Sequence, residues 1–209
     1  MSEKYDEFTR NVKILPWIGK NYHSQKVKLL ILGESIWYRE EDVPLKKQAI
    51  NYIESVIDGW NGSNFFSNIQ KVVQVKDFDK NNLSDRKIFW NNVAFYEYVQ
   101  SELSQAGERP NVEQWENAQK PFKEILKKLQ PDFVLAFGFE LFKNLPHIDG
   151  DENGLYIRYN NKRIHTWVYR INEKPMVLIR FKHPSRGFSP EYWRKIYQKV
   201  IDCYKGSKL

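Results

Sequence analysis

Three short apolar runs, each ended at once by glycine or polar residues, place the strongest constraint on the fold of this chain. They are residues 26–32 (KVKLLIL), 132–137 (DFVLAF) and 176–181 (MVLIRF). Runs of this length that are apolar almost throughout are typical of parallel strands buried on both faces. Segments with helical periodicity separate them, which predicts alternating strands and helices.

Helices are predicted between these runs from apolar periodicity and from capping residues. Pro44 opens a helix that continues through Ile57, and Asn111 caps a helix over residues 112–129. The remaining predicted elements are helices over residues 3–12, 65–75, 139–145 and 190–205, a strand over 91–95, and a hairpin with strands 155–159 and 164–169.

This order of elements predicts an α/β fold. Right-handed crossovers would place helices on both faces of a mostly parallel central sheet, giving three layers, α/β/α. The sequence contains no segment that reads as a linker or a repeat. We therefore expect a single domain over residues 1–209, with residues 1–24 forming an N-terminal helix and loop packed on it.

The charge of the chain favours a polyanionic partner. Lys and Arg total 33 and Asp and Glu total 26, which gives a formal net charge of +7. Such an excess favours nucleic acid as the partner, although many basic proteins bind none. The 7 Trp, 12 Tyr and 13 Phe side chains indicate either an aromatic core or a pocket whose rings stack on a flat ligand.

Several classes of protein are disfavoured by composition. Cys203 is the only cysteine, which leaves no intrachain disulfide and no cysteine-rich zinc or iron–sulfur site. The four histidines lack metal-site spacing, so neither metal nor cofactor is expected. Residues 1–13 are polar and no run reaches the ~18 apolar residues of a membrane span. A cytoplasmic monomer without membrane contact is the expectation.

Polar clusters follow or adjoin the predicted strands at three places. They are residues 33–35 (GES), 91–92 (NN) and 182–186 (KHPSR). Each cluster alone could be a simple turn or cap. Ligands of open α/β sheets bind at the carboxyl ends of the strands, so three clusters on one edge favour a binding or catalytic site.

These clusters, in this order, resemble the uracil-DNA glycosylase superfamily. That family has a strand followed by Gly-x-x-Pro-Gly or Gly-x-Asp-Pro-Tyr, and a later strand followed by His-Pro-Ser. The resemblance extends from Trp17 to Tyr204 and implies an enzyme that flips a base out of DNA and hydrolyses its N-glycosidic bond. The matching segments are LLILGESIWY (29–38), FWNNVAFY (89–96), PDFVLAFGFELFKNL (131–145) and LIRFKHPSRGFS (178–189).

The resemblance implies a catalytic set of Glu34, His183 and Asn92. His183 would stabilise the oxygen of the departing base, and Glu34 would stabilise the sugar cation or position water. Asn92, or else Asn91, would read the pyrimidine edge, because a carboxamide offers both a donor and an acceptor. Glu34 could instead be a loop carboxylate that caps a backbone amide.

The remaining implied contacts are to the base and to the DNA backbone. Phe65, or alternatively Phe66, would stack on the base, although either ring could belong to the core. Gly33 and Ser35 would complete the base pocket. The implied DNA contacts are Ser185, Lys182, Lys20 and Arg186, the last entering the duplex where the base has left.

The sequence departs from the family motifs at both ends of the site. Residues 36–38 (IWY) replace the usual proline, and residues 186–189 (RGFS) replace the usual Pro-Leu-Ser. The resemblance implies uracil as the base. Because the pocket residues depart from the motifs, a modified pyrimidine, including a hypermodified cytosine of phage DNA, stays open as the alternative. Both DNA repair and defence against phage stay open.

Two other functions stay open on the sequence. The Gly33-Glu34-Ser35 block also resembles the Gly-Asp-Ser block of SGNH-type esterases, with Ser35 as nucleophile and a late histidine as base. Those enzymes need an aspartate three residues before the histidine, where Arg180 stands here. The same fold could also bind DNA or a nucleotide without cleaving it.

Overall fold

A computed structural model of the chain defines its architecture. It describes residue 5 and residues 8–37, 42–60, 64–74, 79, 81–105, 107–148, 150–185 and 187–206. Among these residues the strands are β1 (Trp17–Ile18), β2 (Leu29–Gly33), β3 (Ala94–Glu97), β4 (Phe133–Phe137), β5 (Glu152–Asn153), β6 (Ile157–Tyr159), β7 (Lys162–Ile164), β8 (Thr166–Ile171) and β9 (Lys174–Phe181). The α-helices are α1 (Gln48–Ile57), α2 (Asn64–Val73), α3 (Leu83–Asn92), α4 (Val112–Leu129), α5 (Phe139–Lys143) and α6 (Pro190–Gly206).

The central sheet has seven strands in the order β1-β3-β2-β4-β9-β8-β5. Its inner strands β3, β2, β4 and β9 are mutually parallel, whereas β1 and β8 run antiparallel to them on either side. The carboxyl ends of the four parallel strands therefore meet along one side of the sheet, which we call the carboxyl edge. The mostly parallel α/β sheet predicted from the sequence is confirmed.

Helices cover both faces of this sheet. On one face, Phe95 of β3 packs against Phe66 of α2 and Trp90 of α3, with ring centroids 5.6 and 6.2 Å away. In β8, Thr166 contacts Tyr204 of α6. Because side chains alternate along a strand, Tyr169 points to the opposite face. There its ring lies 6.4 Å from that of Phe122 in α4.

Three of the inner strands, β2, β3 and β4, are buried along their whole length, which explains their largely apolar sequences. Every residue of β2, β3 and β4 is buried. One residue of these three strands, Glu97 at the end of β3, is charged and still only 6% exposed. A buried carboxyl group needs a compensating interaction or a shifted pKa.

Side-chain capping determines where α4 begins. The side chain of Asn111 accepts a hydrogen bond from the backbone N–H of Gln114, and the Gln114 side chain accepts one from the backbone N–H of Asn111. This reciprocal pair starts α4 at Val112, as predicted. In the described part of the predicted N-terminal helix, residues 8–12 form turns and bends instead.

The strand predicted over residues 91–95 is wrong in its first half. Asn91 and Asn92 are the last residues of α3, and β3 begins only at Ala94. The cause is a helix start inside the segment read as loop: the Asn82 side chain accepts a hydrogen bond from the Asp85 N–H at 3.1 Å. The helix that starts there runs through Trp90, which is fully buried.

Two hairpins replace the one that was predicted between residues 155 and 169. The strand β6 pairs with β7 through a turn at Asn160 and Asn161, whose φ angles are 47° and 59°. Positive φ at both central residues is the geometry of a tight hairpin turn, and Asn tolerates it. A second turn at Asn172 and Glu173 joins β8 to β9. Residues 166–171 therefore belong to the central sheet.

Candidate functional site

A cavity of about 730 Å³ opens at the carboxyl edge of the sheet. The loops that follow β2, β3 and β9 contribute to its walls, and α1 and α2 close it from one face of the sheet. Its polar lining consists of carboxylates, a histidine, an arginine and hydroxyl groups, and its apolar lining is largely aromatic. The lining includes Glu34, Ser35, Trp37, Trp60, Phe65, Phe66, Glu97, Arg109, His183 and Ser185.

Glu34 leaves β2 directly into the cavity and is held by an arginine from a distant loop. Its side chain is only 10% exposed, and Nη1 of Arg109 lies 2.8 Å from Oε1 and 3.2 Å from Oε2. Arg109 comes from the loop between β3 and α4, and its side chain is 67% exposed. The pair thus joins a nearly buried carboxylate in the cavity wall to a guanidinium group that is largely exposed to solvent.

Glu97 ends β3 beside Glu34 and sits against Gly33. The two strands pair in parallel, with Gly33 opposite Glu97. A Cβ atom at position 33 would lie 2.3 Å from Oε2 of Glu97, which is far inside van der Waals contact. Gly33, predicted to contact the base, therefore leaves the space that the Glu97 carboxyl group occupies.

The Glu97 carboxyl group is protonated at neutral pH. Burial, and then the negative charge of Glu34, raise its pKa to about 8. Within the described part of the chain, Oε2 has no hydrogen-bond partner. A protonated carboxyl group offers one donor and adjacent acceptors, and it borders the cavity with part of that capacity unused.

The close approach of Gly33 and Glu97 makes a stability prediction. We expect Gly33→Ala to destabilise the fold by about 1–3 kcal/mol in urea unfolding, because the added methyl group meets the buried carboxyl group. Gly206→Ala is the matched control, since a Cβ there meets nothing within 4 Å. Adding Glu97→Ala to Gly33→Ala should restore stability; equal unfolding midpoints for wild type and Gly33→Ala would contradict this account.

His183 lies two residues beyond β9, and its ring contacts an aromatic ring of the cavity wall. Its imidazole centroid is 5.3 Å from that of Phe65, with the rings tilted by 43°. Burial, and then the charge of Arg109, lower the pKa of His183, so the ring is neutral at pH 7. Asn68 of α2 donates a hydrogen bond to the Pro184 carbonyl at 3.3 Å, which ties the His-Pro-Ser loop to this helix.

The two predicted stacking rings have different environments. Phe66 is 6% exposed and packs against Trp90 and Phe95 in the core. Phe65 is half-buried and lies between this cluster and His183, so it presents the available ring. Trp37 and Trp60, which the sequence reasoning did not select, line the same cavity and are 53% and 45% exposed.

Asn91 and Asn92 lie at the opposite edge of the sheet from the cavity. The Asn92 side-chain oxygen accepts hydrogen bonds from Asn21 and Gln25, each at 3.1 Å. Lys20 is exposed at that same edge, next to Gly19, whose N–H donates to the Val93 carbonyl. The structure does not bring these three predicted site residues together with Glu34 and His183, because α3 extends to Asn92.

The remaining predicted contacts gather around the His-Pro-Ser loop. Ser35 and Ser185 both line the cavity. Lys182 donates a hydrogen bond to the Gly187 carbonyl at 2.9 Å and so closes its own loop. Arg186 lies outside the described residues. Among the residues that are described, Ser35 makes no hydrogen bond to His183, the contact on which an esterase mechanism depends.

One of the residues missed by sequence reasoning carried a visible signal. Glu97 is a carboxylate inside the otherwise apolar run AFYEYV (94–99), and such a group is rarely buried without a special role. Arg109 carried no local signal, because it reaches Glu34 across 75 residues of sequence.

Comparison with known proteins assigns no family to this sequence. The sequence matches no protein-family model, and no curated protein matches it at a significant level. In the described ranges, no helix has the length and apolar character needed to cross a membrane. The same ranges contain no group of three or more ligand-type side chains that could hold a metal ion.

Proposed function

We propose that this protein is a DNA N-glycosylase that removes uracil or a modified pyrimidine, and that its α/β fold is of the uracil-DNA glycosylase type. One observation carries the proposal. Glu34, Phe65 and His183 come from three distant segments, and the resemblance assigns all three to one active site. They line a single cavity at the carboxyl edge, where α/β enzymes bind their ligands.

Glu97 takes over the base-reading role that the resemblance assigned to asparagine. A neutral carboxyl group, like a carboxamide, presents a donor beside an acceptor. It can therefore pair with a ring N–H and a carbonyl of uracil, or with the amino group and ring nitrogen of a cytosine. Phe65 supplies a ring on which the flipped base stacks.

The reaction breaks the bond between C1′ and the base nitrogen, and water adds its hydroxyl group to C1′ and a proton to the base. Negative charge develops on the departing base and positive charge on the sugar. The neutral imidazole of His183 donates a hydrogen bond to a base oxygen as that charge develops. Glu34 is the carboxylate available to stabilise the sugar cation or to orient the water.

Arg109 supports this chemistry from the mouth of the cavity. Its guanidinium group is mostly exposed, yet it pairs with the nearly buried Glu34. A phosphate flanking the flipped nucleotide would attract the same guanidinium group. Binding of the phosphate would then draw Arg109 away from Glu34 and leave that carboxylate free to face the sugar.

A panel of oligonucleotides tests the proposed function. Single strands and duplexes carrying one uracil, or one of several modified cytosines, are incubated with the protein and then heated in alkali. Excision predicts alkali-labile cleavage at the modified position of at least one member. Binding of the panel without any labile product would instead favour a non-catalytic protein of this fold, and hydrolysis of a chromogenic acetyl ester lost in Ser35→Ala would favour the esterase.

A further inference from the structure

The β6–β7 hairpin carries a concentration of positive charge at the same edge as the cavity. Residues 154–165 contain Arg158, Lys162 and Arg163 and no Asp or Glu. Thr166, which directly follows this hairpin, pairs with Ile179 near the end of β9. The hairpin therefore emerges at the carboxyl edge, beside the strand that leads to His183.

Arg158 and Arg163 face each other across the hairpin. They are cross-strand partners in the β6–β7 pair, so both side chains lie on one face. Like charges directly opposite each other destabilise a strand pair. Neither arginine forms an ion pair with any residue in the described part of the chain. This arrangement is unfavourable for the isolated hairpin, and a bound polyanion would relieve it.

Exposed aromatic rings are interleaved with these cations. The guanidinium group of Arg163 lies 5.4 Å from the ring centroid of Tyr156, which is 68% exposed. That of Arg180 lies 4.7 Å from the centroid of Phe139, which is 41% exposed. Both charges act on His165 between them, since Arg180 and Arg163 contribute, after burial, to lowering its pKa. We call these side chains, with Arg158, the hairpin surface.

A row of aromatic contacts connects the hairpin surface to the loop that bears His183. Tyr159 of β6 contacts Tyr192, which contacts Trp193, with ring centroids 5.6 and 5.3 Å apart. Trp193 in turn stacks on Phe188 at 6.2 Å. Phe188 belongs to the loop that also carries Ser185 at the cavity wall. The hairpin surface and the cavity are thus parts of one continuous edge.

We propose that the hairpin surface binds the single-stranded DNA that flanks the target base. Cations that follow a phosphate backbone, interleaved with exposed rings on which bases stack, are the features of single-strand binding sites. This proposal rests on the function proposed above for its choice of DNA, but the surface is separate from the cavity that performs the chemistry.

The test measures binding of a fluorescein-labelled strand of about 20 nucleotides with one central uracil, a length sufficient for such a site. Fluorescence anisotropy is recorded over a series of salt concentrations. We expect Arg158→Gln with Arg163→Gln to weaken binding about tenfold or more, and to reduce the slope of log K against log salt by about 1.4, since each lost phosphate contact contributes about 0.7. The matched control, Lys26→Gln with Lys127→Gln, removes equal charge from exposed sites near the amino ends of β2 and β4, at the opposite edge, and should bind as wild type does.

Further variants and readouts separate the possible outcomes. Arg158→Lys with Arg163→Lys should retain the salt slope. The glutamine variant should unfold near the wild-type temperature, because it removes a like-charge pair but also the hydrogen bond from Arg158 to the Asn161 carbonyl. Wild-type affinity in the glutamine variant, or tighter binding of the matching duplex than of the single strand, overturns the hairpin proposal. Single-turnover excision of the same strand tests the proposed function separately. If the glutamine variant loses binding but wild type excises no base, the hairpin proposal is supported and only the proposed enzymatic function is overturned.

Discussion

Replacement of His183 by alanine is expected to slow base excision by about two orders of magnitude or more, the usual effect of removing one preorganised hydrogen-bond donor from a developing anion. His183 borders the cavity beside Phe65, and its lowered pKa favours the neutral ring, which still carries one N–H that can donate a hydrogen bond. The measurement is the single-turnover rate at saturating enzyme on the best substrate of the oligonucleotide panel.

A conservative variant and a matched control make the His183 result specific. His183→Gln keeps a donor near the same position and should recover part of the lost rate. His23→Ala removes an exposed histidine at the opposite edge of the sheet, close to Asn21 and its contact with Asn91, and it should excise at the wild-type rate. An unchanged rate in His183→Ala would remove this residue from the mechanism.

Two replacements of Glu97 are expected to show whether excision depends on its hydrogen-bonding groups or on its charge. Glu97→Gln keeps a donor beside an acceptor, so it should excise near the wild-type rate at pH 7, whereas Glu97→Ala should lose about 10- to 100-fold through unpaired polar groups. Wild-type activity should fall above a pH of about 8, where the carboxyl group ionises, and Glu97→Gln should lack that fall. A common alkaline limb in both proteins would show that another group titrates.

The same substitution has a stability signature that does not depend on activity. The folded state holds the Glu97 proton up to a pH of about 8, and the unfolded chain releases it near the ordinary value of 4.5. The contribution of this bound proton to the free energy of unfolding of wild type is therefore fully present below pH 4.5, and it is lost as the pH rises towards 8. We expect the advantage of Glu97→Gln over wild type to grow by about 1.4 kcal/mol per pH unit across this window in urea unfolding.

The inner strands and part of the site could be predicted because local sequence determines them. Continuous apolar runs fixed β2, β4 and β9, and parallel pairing then requires their carboxyl ends to meet. Glu34 and His183 follow two of these strands, so the pairing alone places them at one edge, whatever their side chains contact.

The base-reading residue could not be predicted because it depends on where one strand begins. In the segment FWNNVAFYEYV (89–99), a strand over 91–95 makes asparagine the polar group of interest, whereas a strand over 94–97 makes it Glu97. The capping hydrogen bond at Asn82, which extends α3 to Asn92, decides between them. Arg109 is a long-range partner of Glu34, and no local pattern specifies such a pair.

Mass spectrometry of the products from the oligonucleotide panel tests the central claim most directly. Hydrolysis of the N-glycosidic bond in this cavity predicts equal amounts of free base and abasic DNA from wild type, and much less of both from His183→Ala over the same interval. Intact oligonucleotide with no free base, from every member of the panel that the protein binds, would contradict the claim.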